Sequence, residues 1–226
     1  MRIGVIGTGN MGRSLGVAWA LAGHTVFFGA RDPAKGRFAA ELAGPGSQSG
    51  TNDDAAEFGE VVLWNPRVAD PLAVLERPAR LSGKIVVDMH NGIVPADLRF
   101  PAITQAFASR LAAALPAARV VRACNTFAQE LLEQDPDTIR EAGIAALLAG
   151  DEPASKAVVA DLVRELGFDP VDCGPLSSAA MLETMGDLIR LLMISQGRTA
   201  FTSFAIRQTP PTSKARLGGR QPTNLL

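Results

Sequence analysis

Near the start of the chain, residues 3–16 read Ile-Gly-Val-Ile-Gly-Thr-Gly-Asn-Met-Gly-Arg-Ser-Leu-Gly. A short apolar run of strand length, 2–6, enters a glycine-rich turn and leaves it through residues 10–22, where Leu15, Ala18, Trp19 and Ala22 recur at helical spacing. Gly7, Gly9 and Gly12 fill the three places of G-x-G-x-x-G. A side chain at the first would obstruct the tight turn. At the second it would hold the backbone away from a pyrophosphate, and at the third it would lift the helix off the sheet. Gly16 carries the close helix–sheet contact one turn further. The free N–H groups at such a helix start, together with its dipole, favour an anionic ligand. The segment reads as the opening strand, turn and helix of a dinucleotide-binding fold.

Strand-like runs then alternate with helical stretches, the pattern of a doubly wound parallel sheet of Rossmann type. Strands are expected at 25–29, 61–64, 84–88, 119–123, 144–149 and 170–173, with at most a short edge strand in the loop 44–50. Helices are expected at 33–43, 69–76, 102–115 and 153–166. From 177 to about 206 the spacing predicts one long apolar helix or a broken pair, carrying Met181, Met185 and Met193. These runs divide the chain into a nucleotide-binding domain (1–125), a small α/β extension that completes the cleft (126–206) and an extended tail (207–226) with four basic residues and no acids.

Composition narrows the function. The 226 residues are 47% hydrophobic, enough for a sizeable core, and the net charge of −1 offers no bulk attraction to nucleic acid or membrane. Cys124 and Cys173 have no metal-ligand spacing and each ends an apolar run, so they read as buried thiols. No apolar stretch reaches bilayer length and no charged-then-apolar leader precedes the first strand. The expected setting is soluble, reducing and cytoplasmic.

The end of the second strand discriminates between the two nicotinamide coenzymes. An acidic residue there would bond the ribose 2′-hydroxyl, whereas an arginine pairs with a 2′-phosphate. The strand ends Phe27-Phe28-Gly29-Ala30-Arg31, with Lys35 and Arg37 in the next turn, which favours NADP. Asp32 precedes Pro33 and reads as the cap of the following helix. Acid–base groups are scarce. His24 lies on the turn before the second strand and reads as structural, while His90 follows the 84–88 strand on the ligand side of the sheet. The chain has no tyrosine, which excludes a Tyr-x-x-x-Lys site, and no lysine on the long apolar helix. Carbonyl reduction generally needs a positioned proton donor, whereas hydride passing between two ring cofactors needs mainly alignment.

With these residues in view, the chain resembles the F420-dependent NADP oxidoreductases. The resemblance rests on Gly-Thr-Gly-Asn-Met-Gly at 7–12, Gly29-Ala30-Arg31, Val-Val-Arg-Ala-Cys-Asn-Thr-Phe at 120–127, and Gly150-Asp151-Glu152 followed by a helix and Gly174-Pro175-Leu176. It covers about residues 1–206. It implies hydride transfer between NADPH and the deazaflavin F420, bound in a cleft between the two domains. By position it implies that Thr8, Gly9, Asn10 and Met11 meet the pyrophosphate, and Arg31 and Lys35 the 2′-phosphate. Asn65 and Pro66 would lie near the nicotinamide ribose, and His90, Asn91, Asn125 and Thr126 would face the second cofactor. The chain departs from the family at Ala30, where serine is common, and at Asn91-Gly92, where Asn-Pro is common. A homodimer is expected from the apolar long helix. The alternatives are a reductase of a flavin, quinone, ferric chelate or imine, in which His90 would matter more, and a non-catalytic NADPH sensor.

Overall fold

A computed structural model describes residues 1–210; residues 211–226, most of the expected tail, lie outside the described residues. The strands are β1 (Arg2–Ile6), β2 (Thr25–Gly29), β3 (Gln48–Gly50), β4 (Val61–Trp64), β5 (Ile85–Asp88), β6 (Arg119–Arg122), β7 (Ala145–Gly150) and β8 (Asp169–Asp172). They form one sheet in the order β3-β2-β1-β4-β5-β6-β7-β8. The helices are α1 (Asn10–Leu21), α2 (Pro33–Ala43), α3 (Asn52–Phe58), α4 (Phe107–Ala114), α5 (Pro136–Ala142), α6 (Pro153–Glu165) and α7 (Ala179–Ser195).

The side-chain alternation of the strands sorts the core into two layers. Ile3, Val5, Val61 and Leu63 face one layer with Leu15, Trp19 and Leu162. Ile6, Val62, Trp64 and Val86 face the other with Phe107 and Leu111. Within the first layer two helices are joined on the same face of the sheet: Trp19 Nε1 of α1 donates to the Leu162 carbonyl of α6 at 3.0 Å. At Gly16, a Cβ would collide with the Phe28 ring, so α1 lies directly on β2. His24 is structural, as its position implied: its Nε2 meets Glu165 Oε2 at 2.6 Å and its Nδ1 meets the amino terminus at 3.1 Å.

The structure corrects several expectations. Strands β1 to β6 are parallel, but β7 runs antiparallel to β6, pairing Val121 with Gly150 and Arg122 with Ala149. The 69–76 helix does not form. Asp70 accepts the Leu72 N–H at 2.9 Å as at a helix start, but only a turn follows, and the Glu76 and Arg77 N–H groups go to the Asp53 carboxylate instead, at 2.9 and 2.7 Å. The helix expected from 102 begins at Phe107, whose N–H is capped from across the fold by Glu183 Oε1 at 2.7 Å. The long apolar helix ends at Ser195, and Gly197 takes φ of 64°. Cys124 is buried, but Cys173 is only half-buried. Two short helices went unexpected. In α3, Thr51 and Asp54 form a capping box; in α5, Asp135 caps the start and left-handed Gly143 the end. No described helix is long and apolar enough to cross a membrane.

Candidate active site

A cleft of about 950 Å³ opens at the ends of β1, β2, β4 and β5, where ligands bind in sheets of this kind. Its base is the turn between β1 and α1. Gly7 has φ of 91°, a conformation that suits glycine. At Gly12, a Cβ would collide with the Gly7 carbonyl and lie 2.8 Å from Asn65 Nδ2. At Gly9 a Cβ would meet only Asn65 Nδ2, at 3.6 Å, so the fold has space there that a side chain would fill. Gly9 is also the N-cap of α1 and no side chain caps that helix, which leaves its first N–H groups open to the cleft. These features fit a dinucleotide diphosphate. Asn65 holds the turn in shape, donating from Nδ2 to the Gly7 carbonyl at 3.2 Å.

Of the residues singled out from the sequence, the cleft brings together Gly7, Thr8, Gly9, Asn10, Met11, Ala30, Arg31, Lys35, Asn65, Pro66, Asn91 and Asn125. Arg31 and Lys35 are exposed at one end and form no ion pair among the described residues. Asp32 accepts the Ala34 N–H at 3.0 Å as the cap of α2. Gly12 sits beneath the turn and Thr126 is buried behind the wall; neither lines the cleft. His90 borders a separate recess of about 50 Å³ with Met11, Asn65, Arg67 and Cys124. Its ring stacks on Phe107 with centroids 4.1 Å apart. Burial, helped by the charges of Arg122, Arg110, Arg67 and Arg190, holds its pKa down to about 4, so the imidazole is neutral. Burial pushes the Cys124 thiol up to about 12, which makes it an inert core group. Among Met181, Met185 and Met193, only Met193 lines the cleft; Met181 is exposed and Met185 packs beside Leu182.

Sequence reasoning did not find what lies under the cleft floor. Arg122 and Asp88 are fully buried, and Arg122 Nη1 donates to Asp88 Oδ2 at 2.6 Å. Asp88 Oδ1 accepts the His90 N–H at 3.0 Å. Arg122 Nη2 donates to Asn91 Oδ1 at 2.9 Å, and Glu183 of α7 lies 3.9 Å from Nη1. Burial raises the pKa of both Asp88 and Glu183 while the Arg122 guanidinium opposes it. The opposite wall comes from Phe127 to Glu130 and from Ile189, Arg190 and Met193 on α7. Arg190 is bound within the protein, donating to the Gly92 and Gly186 carbonyls and to Asp187. Among the described residues no cluster of ligating side chains could hold a metal ion.

Comparison with known proteins matches this geometry. Residues 2–92 fit the coenzyme F420-dependent NADP oxidoreductase family. Metalloreductase STEAP3 of Rattus norvegicus is 29% identical over 184 residues, 81% of this chain; the chain spans only 36% of that protein's length. The F420-dependent NADP reductase of Methanothermobacter thermautotrophicus is 28% identical over 209 residues, covering 84% of this chain and 88% of the reductase. A crystal structure of a candidate F420-dependent NADP-reductase from Arthrobacter sp. FB24 superposes with a TM-score of 0.77 at 29% identity, over 91% of this chain and 99% of that one. Over residues 2–92 the chain is thus similar to the coenzyme F420-dependent NADP oxidoreductase family.

Proposed function

We propose that the chain is an NADP(H)-dependent oxidoreductase that passes hydride between the coenzyme and a deazaflavin of the F420 type. The observation that carries this is the uneven chemistry of the one cleft. One end offers open helix N–H groups and the exposed cations Arg31 and Lys35; the other is walled by Asn91, Asn125, Ile189, Met193 and Arg190, whose guanidinium is bonded to Gly92, Gly186 and Asp187. The turn at 7–12 would seat the diphosphate, and Arg31 and Lys35 the 2′-phosphate. The nicotinamide, when bound, supplies or takes up the hydride. The protein contributes alignment and exclusion of water, since His90 is neutral and held against Phe107. Residues 1–125 bind the coenzyme in this scheme, and 126–206 close the cleft over it. A homodimer through the exposed Met181 and Leu188 of α7, and a cytoplasmic setting compatible with two free thiols, complete the proposal.

Anaerobic mixing with NADPH and F420, followed by deazaflavin absorbance, tests it. Bleaching in step with NADPH oxidation is expected; no bleaching at any pH rejects the acceptor. The similarity to a metalloreductase favours a second reading, in which the acceptor is a ferric chelate. NADPH-dependent Fe(II) release without deazaflavin turnover, abolished by His90→Ala, would select it.

A further inference from the structure

Two asparagines at the inner end of the cleft have amide orientations fixed by their partners. Asn91 Oδ1 accepts from Arg122 Nη2 at 2.9 Å and from Asn125 Nδ2 at 3.1 Å. A guanidinium offers only donors, so the atom of Asn91 that faces it is the oxygen and the amide cannot be turned over. Asn91 Nδ2 gives one hydrogen to the Asn125 carbonyl at 2.7 Å; its other hydrogen has no partner among the described residues. Asn125 is the complementary case. Both hydrogens of its Nδ2 are taken, by Asn91 Oδ1 and by the Leu182 carbonyl at 2.7 Å. Its Oδ1 is buried and has no partner among the described residues. The residue is 2% exposed yet borders both the cleft and the His90 recess.

The pair cannot retreat. At Gly186 of α7, a Cβ would lie 2.6 Å from Asn91 Oδ1 and 2.8 Å from Asn125 Nδ2, so the helix backbone presses directly on both amides. What remains without a partner among the described residues is one N–H of Asn91 and the buried Oδ1 of Asn125, on two residues that both line the cleft. Asn125 Oδ1 is one of several buried polar atoms without a partner among the described residues, with Asn52 Oδ1 and Gln129 Oε1 among the others; it is distinguished by the adjoining unused N–H donor of Asn91, whose side chain is bonded to its own.

We propose that Asn91 and Asn125 together read an amide edge, an N–H beside a C=O, on a ligand held in this cleft, an assignment that rests on the oxidoreductase function proposed above. Asn91 Nδ2 donates to the ligand carbonyl and Asn125 Oδ1 accepts the ligand N–H. Two groups in an NADP-linked hydride transfer carry that edge: the carboxamide of the nicotinamide and the pyrimidinedione ring of a flavin or deazaflavin. A simple imine or a ferric chelate of carboxylates has none, so the pair would select against such acceptors if the acceptor is what it reads.

Calorimetric titration of the full chain separates the two sources. One arm compares NADP⁺ with 3-acetylpyridine adenine dinucleotide phosphate, in which a ketone replaces the carboxamide. The other titrates NADP⁺-saturated protein with 5-deazariboflavin and with its N3-methyl derivative. A loss of at least about tenfold in affinity for one altered ligand relative to its parent is expected, and the arm that shows it names the source. In Asn125→Ser that discrimination should vanish, while an NADP⁺-induced rise in melting temperature shows that the variant is folded. Equal affinities within both pairs, or discrimination that survives Asn125→Ser, would overturn the assignment and leave coenzyme binding intact. No binding of NADP⁺ at all would remove the oxidoreductase proposal as well.

Discussion

Arg122 and Asp88 meet at 2.6 Å where neither side chain touches solvent. The same guanidinium holds Asn91, and the same carboxylate holds the His90 N–H, so one buried pair orients the whole turn after β5. Removing one partner strands a charge in the core. Arg122→Met should therefore destabilise the protein by about 3–5 kcal/mol in urea unfolding. The double variant Asp88→Leu/Arg122→Met should recover part of that loss, because the pair is then gone while Glu183, 3.9 Å from the lost guanidinium, is left to take up a proton. It should still bind the acceptor poorly, because Asn91 loses the bond that fixes its amide.

His90 should leave a signature in acid. Its pKa in the folded chain is about 4 against an ordinary value of 6.5, chiefly because of burial. Between those values the unfolded chain binds the proton and the folded chain does not, so stability is fully present above about 6.5 and falls as pH is lowered through the window. Allowing for the ring's partial exposure, the loss should be on the order of 1–2 kcal/mol. The difference in unfolding free energy between wild type and His90→Gln, taken at neutral pH and near pH 4.5, isolates it. Asp88 and Glu183, whose pKa values are raised, act in the opposite direction and cancel in that difference.

The two inner glycines of the turn should separate folding from binding. A methyl at Gly9 has space in the folded chain, with Asn65 Nδ2 at 3.6 Å. Gly9→Ala should melt near wild type and bind NADP⁺ at least about tenfold more weakly. A methyl at Gly12 meets the Gly7 carbonyl and Asn65 Nδ2, so Gly12→Ala should lower stability by roughly 1–3 kcal/mol as α1 shifts from the turn. Thermal melting and coenzyme titration on the same samples distinguish the two outcomes.

Coenzyme choice should rest on Arg31. It is exposed and forms no ion pair among the described residues. Arg31→Gln should weaken NADP⁺ by roughly 10- to 100-fold through loss of a charge-assisted contact and leave NAD⁺ within about twofold. Equal losses for both coenzymes would place Arg31 outside the 2′-phosphate site.

The elements that announced themselves in the sequence are those in which a local rule and a tertiary role coincide. Gly7, Gly9 and Gly12 are demanded by the turn itself, and the apolar runs of β1, β4 and β5 are buried on both faces. The 69–76 segment misled because Asp70-Pro71 opens it as a helix would open, while the Asp53 carboxylate that takes the Glu76 N–H lies 23 positions away; α3 and α5 were passed over although Thr51 with Asp54 and Asp135 with Gly143 signal their ends. The direction of β7 is set by the end of the sheet from which the chain re-enters beside β6, and strand composition does not encode direction. Arg122 and Asp88 look like ordinary strand-end charges; only a pairing 34 positions apart makes them interior groups. The bond between Glu183 and the start of α4 is equally non-local, linking residues 76 positions apart.

The reversal of β7 against β6 gives the molecule a division of labour. It brings the chain back so that α7 starts beside α4 and its second half rises past Asn125 to the rim, where Ile189, Arg190 and Met193 line the same cleft as the turn at 7–11. On the function proposed above, substitutions along that rim reshape what is admitted over the coenzyme without touching the 7–12 turn. Selection can then change the oxidant while the electron donor stays the same.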